Sequence, residues 1–289
     1  MSDQIAYLNG DFLPLEEAKI STQDRGFLFG DGIYEVIPVF QKKLFQLDAH
    51  LDRLRKSLTA ISIQDPYSDE QWKALLNELV TKHPWDDQFI YLQVTRGIQW
   101  VRDHTPDKDL TPTVYAYSNP LKPVSETILE NGIKVVTLED IRWLRCDIKA
   151  TTLLPNVMMK IAAKEQGADD AILIGRDGLI SEGTASNVFI VKDGALLTPP
   201  LSNRILPGIT RMIIEKIAND HSIKVIEKTL TLADLEAADE IWLTSSTKDA
   251  LPVCLLNNTP VGSGKPGPIW LKMQSYFAQA KHSLMQAEH

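Results

Sequence analysis

The apolar positions of this chain follow two periods that alternate along its length. Leu47, Leu51, Leu54, Leu58 and Ile61 recur at helical spacing and predict a helix over about 47–62 with one apolar stripe, and His50 and Arg53 lie off that stripe. Ile90, Leu92 and Val94 instead alternate with Tyr91, Gln93 and Thr95, and Thr113–Tyr117 is similarly rich in β-formers. Residues 90–96 and 113–118 therefore read as neighbouring strands joined by a long loop. Ala171–Ile174 and Asn187–Val191 read as further strands, with Asp177-Gly178 and Asp193-Gly194 as hairpin turns. Helices are predicted at about 156–166, stopped by Gly167, and at 209–221, opened by Pro207-Gly208 and buried through Ile209, Met212, Ile213 and Ile217. Strand and helix periods mix without strict alternation and no internal repeat is visible, which predicts an α+β fold rather than a simple doubly wound one.

Asn119-Pro120-Leu121-Lys122-Pro123 interrupts any regular element. It predicts a smaller N-terminal α/β domain over 1–119, a linker at 120–123 and a larger C-terminal domain over 124–289, a division that 289 residues can support. A composition of 44% hydrophobic and 24% charged residues is that of an ordinary globular chain. With 30 basic against 38 acidic residues and no basic cluster, nucleic acid is not an expected partner. Two cysteines, Cys146 and Cys254, make no disulfide framework, and no Cys/His spacing suggests a metal site, so a reducing cytoplasm is the expected compartment. No run approaches the roughly 18 apolar residues of a membrane span, and none resembles a signal peptide.

Generic motifs for dinucleotides, phosphate loops, nucleophile elbows and metalloprotease helices are absent. Four short segments remain. Lys149, in Asp147-Ile148-Lys149, precedes the run Thr151-Thr152-Leu153-Leu154; buried there, it would lose charge readily and become the neutral amine that attacks carbonyls, while in solvent it is a loop lysine. Ser181–Asn187 brings a carboxylate and small hydroxyls to a turn. Leu206–Arg211 presents first-turn amides and a threonine hydroxyl, which is either an anion site or a helix cap. Thr244-Ser245-Ser246-Thr247 follows the apolar strand Ile241–Leu243 and either cups an anion or ends the strand.

Taken in order, residues 24–36 (DRGFLFGDGIYEV), 50–54 (HLDRL), Lys149, 182–188 (EGTASNV), 208–211 (GITR) and the hydroxyl turn resemble the successive motifs of the fold-type IV pyridoxal-phosphate enzymes, across almost the whole chain. The resemblance implies the two-domain α+β fold of that type, with pyridoxal 5'-phosphate as cofactor and Lys149, on the C-terminal domain, as its covalent tether and proton shuttle. It implies that Glu182 faces the ring nitrogen, that Arg53, Ile209, Thr210 and Ser246 hold the phosphate with His50 in support, and that Leu206 packs on one ring face. At Tyr34 and at Arg102-Asp103-His104 the chain is also similar to the D-amino acid aminotransferases of this fold. That likeness implies that Tyr34, Arg102 and His104 bind the α-carboxylate of a D-alanine-like donor and a 2-oxoglutarate-like acceptor. The preceding stretch Gly97–Val101, with Trp100 inside it, is slightly longer than in those enzymes. The resemblance further implies a homodimer whose neighbouring subunit lends a loop to the substrate side. Branched-chain L-amino acid transamination, (R)-amine transamination and aminodeoxychorismate lyase chemistry are the alternatives on this scaffold.

Overall fold

A computed structural model describes residues 4–287, which form two compact units. One runs through Lys122 and includes the detached segment Ile148–Thr152; the other comprises Pro123–Asp147 and the chain from Leu153 onward.

The first unit is built from β1 (Ile5–Leu8), β2 (Asp11–Pro14), α1 (Arg25–Phe29), β3 (Gly32–Phe40), β4 (Lys43–Leu44), α2 (Leu47–Ala60), α3 (Asp69–Thr81), β5 (Gln88–Thr95) and β6 (Thr113–Pro120). Its sheet is antiparallel in the order β2-β1-β6-β5-β3-β4. Alternation sends Ile33, Ile37, Val39, Ile90, Leu92 and Val94 to one face, where Leu51, Leu54 and Leu58 of α2 and Trp72, Leu76 and Leu79 of α3 complete the core. α3, which carries a Ser68/Gln71 capping box, and β3 were not among the predicted elements.

Two expectations for this unit change. β6 runs on to Pro120, paired with Gln88, so the expected linker begins inside a strand; a proline at the strand end costs no ladder bond that matters. Lys149 belongs to the first unit, not to the C-terminal one. Ile33 bridges Ala150, the Tyr34 amide donates to the Lys149 carbonyl at 3.0 Å, and the Thr151 amide donates to the Gly32 carbonyl at 3.0 Å. Ile148 and Ala150 are thereby drawn into the first core.

The second unit contains α4 (Glu126–Asn131), β7 (Ile133–Glu139), α5 (Leu154–Glu165), β8 (Asp170–Ile174), β9 (Ile180–Gly183), β10 (Asn187–Lys192), β11 (Ala195–Thr198), α6 (Ile209–Asp220), β12 (Val225–Glu227), α7 (Leu232–Glu236), β13 (Glu240–Ser245), β14 (Asp249–Leu256), β15 (Thr259–Pro260) and α8 (Pro268–Ala287). Eight strands run β12-β11-β10-β13-β14-β7-β8-β9, with β15 added to β14, in a sheet that mixes parallel and antiparallel pairs. Alternation on β7 and β8 sends Ile133, Val135 and Ile172 into one core and Val136, Ala171 and Leu173 against Met159 and Ala163 of α5. α6 buries Ile209, Ile213, Ile214 and Ile217, whereas Met212, predicted for that face, is exposed outside the arc. One antiparallel and one mixed sheet, each flanked by helices, make this an α+β fold.

Candidate active site

β3 dictates the centre of the first unit's site, because its period puts Glu35 on the core-facing side between Ile33 and Ile37 and leaves Tyr34 on the other. A carboxylate in a core requires partners, and α2 supplies them. Arg53 donates from Nε to Glu35 Oε1 at 2.8 Å and from Nη2 to Oε2 at 2.7 Å; His50 donates from Nδ1 to Oε2 at 2.8 Å. Glu35 and His50 are each 1% exposed, so the two side chains that helical spacing set off the stripe form a second buried face of α2. Burial alone would raise the Glu35 carboxyl, yet the Arg53 guanidinium and the His50 hydrogen bond hold it far below the usual carboxylate range. Burial pushes the His50 imidazole below its usual range, with the Arg53 and Lys149 charges adding to that and Glu35 opposing it. The ring is therefore neutral, and its Nε2 is buried without a hydrogen-bond partner.

Lys149 stands beside this cluster. Its amide donates to Ser57 Oγ of α2 at 3.2 Å, its carbonyl is held by Tyr34, and its Nζ lies 4.3 Å from the centre of the Tyr34 ring. Tyr34 is stacked in turn on Tyr91 at 5.7 Å. The lysine is thus half-buried, with its backbone fixed and its amine over the Tyr34 ring.

Arg102 and His104 come together on a different support. The Arg102 guanidinium lies 4.7 Å from the centre of the Phe29 ring, and the His104 ring lies 5.5 Å from it. Both side chains are exposed.

In the second unit, Glu182 ends β9 and is buried. Arg142 Nη1 donates to its Oε1, while Asn187 Nδ2 and the Leu206 amide donate to Oε2 at 3.1 and 3.0 Å. Arg142 is itself clamped by Asp140, through Nε at 2.9 Å and Nη2 at 2.8 Å, and Ser181 Oγ donates to Asp140 at 2.6 Å. Burial pushes the Glu182 carboxyl above its ordinary range, and the Arg142 guanidinium opposes that shift. Asn187 divides its amide protons between Glu182 and the Leu206 carbonyl, the latter at 2.9 Å, so one side chain sets the positions of both predicted residues.

Asn187 also fixes the start of α6. A Cβ on Gly208 would sit 1.9 Å from Asn187 Oδ1, so only glycine allows that approach. Gly208 caps the helix with no side-chain acceptor, leaving the amides of Ile209 and Thr210 and the Thr210 hydroxyl at a positive helix end. Across the ladder Asn187 pairs with Thr244, and the hydroxyl run ends in the β13–β14 turn that begins at Ser246. The hydroxyls of Ser186 and Thr244 are buried without partners. An uncapped helix end together with unclaimed buried hydroxyls fits a phosphate group.

Periodicity alone did not mark three participants. Glu35 was visible only as a charge in the core register of Ile33, Ile37 and Val39, and Arg142 and Asp140 carried no local signal at all.

The chain belongs to the amino-transferase class IV family, which it matches over residues 32–256. It is 43% identical over 268 residues to a D-alanine aminotransferase of Bacillus licheniformis, covering 92% of this chain and 93% of that protein. It is 42% identical to one of Staphylococcus aureus (strain COL), over 94% and 95% of the two chains. Its fold matches a branched-chain amino acid aminotransferase of Escherichia coli with a TM-score of 0.90 at 25% identity, over 95% of this chain and 93% of that one. A branched-chain amino acid aminotransferase of the archaeon Thermoproteus uzoniensis, solved with norvaline, matches with a TM-score of 0.85 at 27% identity, over 94% and 93% of the chains.

Proposed function

We propose that this aminotransferase uses pyridoxal 5'-phosphate to exchange the amino group of a D-alanine-like amino acid with the carbonyl oxygen of a 2-oxoglutarate-like acid. The observation that carries the reading is Lys149, held by its backbone on β3 and α2 with its amine on the Tyr34 ring beside the Glu35–His50–Arg53 cluster. The identity of 40–43% with D-alanine aminotransferases supports the choice of the D-series.

When bound, the cofactor supplies a carbonyl that captures the amino group and a ring that accepts electrons. Lys149 Nζ takes the substrate α-proton and later returns one, Glu182 holds the ring nitrogen's proton, and Leu206 packs on the ring. Arg53 and the Ile209, Thr210 and Ser246 donors hold the phosphate, with His50 in support. Tyr34, Arg102 and His104 hold the substrate carboxylate. We read the protein as a homodimer in which a loop of the neighbouring subunit completes the substrate side. Leu154, Val157, Met158 and Ile161 form an exposed apolar stripe on α5 that suits a second copy. Both cysteines are unpaired and buried, which suits the cytoplasm, and no helix among the described residues is long and apolar enough to cross a membrane.

The test is a coupled assay of D-alanine, L-leucine and a simple amine on the native protein and on Arg102→Leu. D-alanine should be preferred over L-leucine, and losing one charged hydrogen bond should lower kcat/KM for D-alanine by about 10- to 100-fold. The amine, which has no carboxylate, should be unaffected. Preference for L-leucine, or equal losses on all three substrates, contradicts the reading. Glu182→Gln should keep the cofactor yet slow α-proton removal at least about tenfold, as followed in single-turnover half-reactions.

A further inference from the structure

We propose that Gln99, with Arg25 beneath it, is a positioning residue: a buried polar hub that fixes the loop presenting Arg102 and His104. The assignment rests on reading those two residues as the carboxylate anchor.

The loop leaves β5 under tight constraint. Gly97 has φ +101°, and a Cβ there would lie 1.9 Å from the Thr111 carbonyl oxygen. The Arg25 amide donates to the Gly97 carbonyl at 2.9 Å, and the Gln99 amide donates to the Gln23 carbonyl at 3.2 Å. The apolar side chains next to this point do not anchor the backbone, because Ile98, Trp100 and Val101 are all exposed, Trp100 by 79%.

Gln99 is the exception, at 3% exposure. Its Nε2 donates to the carbonyls of Val101 at 3.0 Å and Thr105 at 3.3 Å, on either side of Arg102-Asp103-His104. Its Oε1 accepts from Arg25 Nη1 at 2.9 Å and from the Asp107 amide at 3.2 Å. All four hydrogen-bonding capacities of the amide are used, which neither a carboxylate nor an apolar side chain reproduces. Arg25 continues the pattern, donating from Nη1 to the Asp103 carbonyl at 2.6 Å and from Nη2 to the His104 carbonyl at 2.9 Å. Its Nε is anchored on Asp31 at 2.8 Å, and Asp31 is held in turn by Arg96. The guanidinium of Arg25 also lies 4.8 Å from the centre of Phe29, the ring on which Arg102 and His104 rest. The two side chains therefore fix the backbone of the loop and the platform under its functional residues.

The test uses the cofactor-loaded protein with Gln99→Leu, and with Gln99→Glu as the variant that keeps both acceptor contacts but loses both donations. Hydrogen exchange of the amides in 100–107 should accelerate about tenfold or more in Gln99→Leu and less in Gln99→Glu, while α2 and α3 exchange as in the native protein. KM for D-alanine should rise about tenfold with kcat changed less, and kcat/KM for a simple amine should stay unchanged. Native-like exchange in 100–107 would overturn the hub, as would equal kinetic losses on D-alanine and the amine. Faster exchange in 100–107 with Arg102→Leu behaving as wild type would uphold the hub and refute the anchor role of Arg102 instead.

Discussion

Lys149→Ala is expected to abolish turnover and to remove the site at which borohydride fixes the cofactor to the chain. The substitution leaves the local structure intact, since what holds the segment is main chain. The Lys149 carbonyl accepts from Tyr34, its amide donates to Ser57, and Ile148 and Ala150 fill the core on either side. What disappears is the amine above Tyr34. A positioned acid–base group contributes about 10²–10⁴-fold, and the loss of a covalent tether adds to this, so the residual rate should be at least about 10⁴-fold lower. Other lysines nearby in sequence are already committed: Lys160 Nζ donates to the Asp169 carbonyl at 2.7 Å and pairs with Asp170, and Lys164 pairs with Asp169. Mass spectrometry of the reduced native protein should place the cofactor on Lys149. Finding it on Lys160 or Lys164 would refute the assignment, provided that circular dichroism shows the alanine variant to be folded.

Glu35→Ala should be the most destabilising single change near the site. It strands a guanidinium and an imidazole in the core of the first unit, and breaking a buried ion pair from one side costs about 3–5 kcal/mol. Glu35→Gln, which keeps an acceptor, should cost less. The pH dependence separates charge from packing. The folded carboxyl titrates far below its ordinary value of 4.5, so the native state binds fewer protons than the unfolded chain in acid. The stabilisation from this carboxylate is therefore complete above that ordinary value and is lost as pH falls from it toward the folded value. Denaturant unfolding between neutral pH and about pH 3 should show that loss in the native protein and a shallower one in Glu35→Gln. Equal slopes would mean that Glu35 is not the charged centre of the cluster.

Periodicity along the chain determined the local elements, because the repeat of apolar residues depends only on which face of a helix or strand must leave water. The stripe of α2, the alternation on β5 and β6, the Asp193-Gly194 turn between β10 and β11, and the start of α6 after Pro207-Gly208 were all legible in this way. The order of short motifs along the chain also pointed to the family that it matches over residues 32–256. Tertiary structure decided the rest, because a buried charge becomes favourable only when a partner distant in sequence arrives to satisfy it. Helical spacing put His50 and Arg53 off the apolar stripe of α2; Glu35, from β3, is what draws them inside. The Pro-rich break suggested a clean boundary, yet pairing with β3 returns Lys149 to the first unit across 25 residues of the second, Pro123–Asp147. The stretch after β5 read as a long loop carrying Arg102 and His104, and nothing local distinguishes its Gln99 from a solvated glutamine. It becomes a hub only because the fold brings Arg25, 74 positions earlier, to its Oε1 and the Val101 and Thr105 carbonyls to its Nε2.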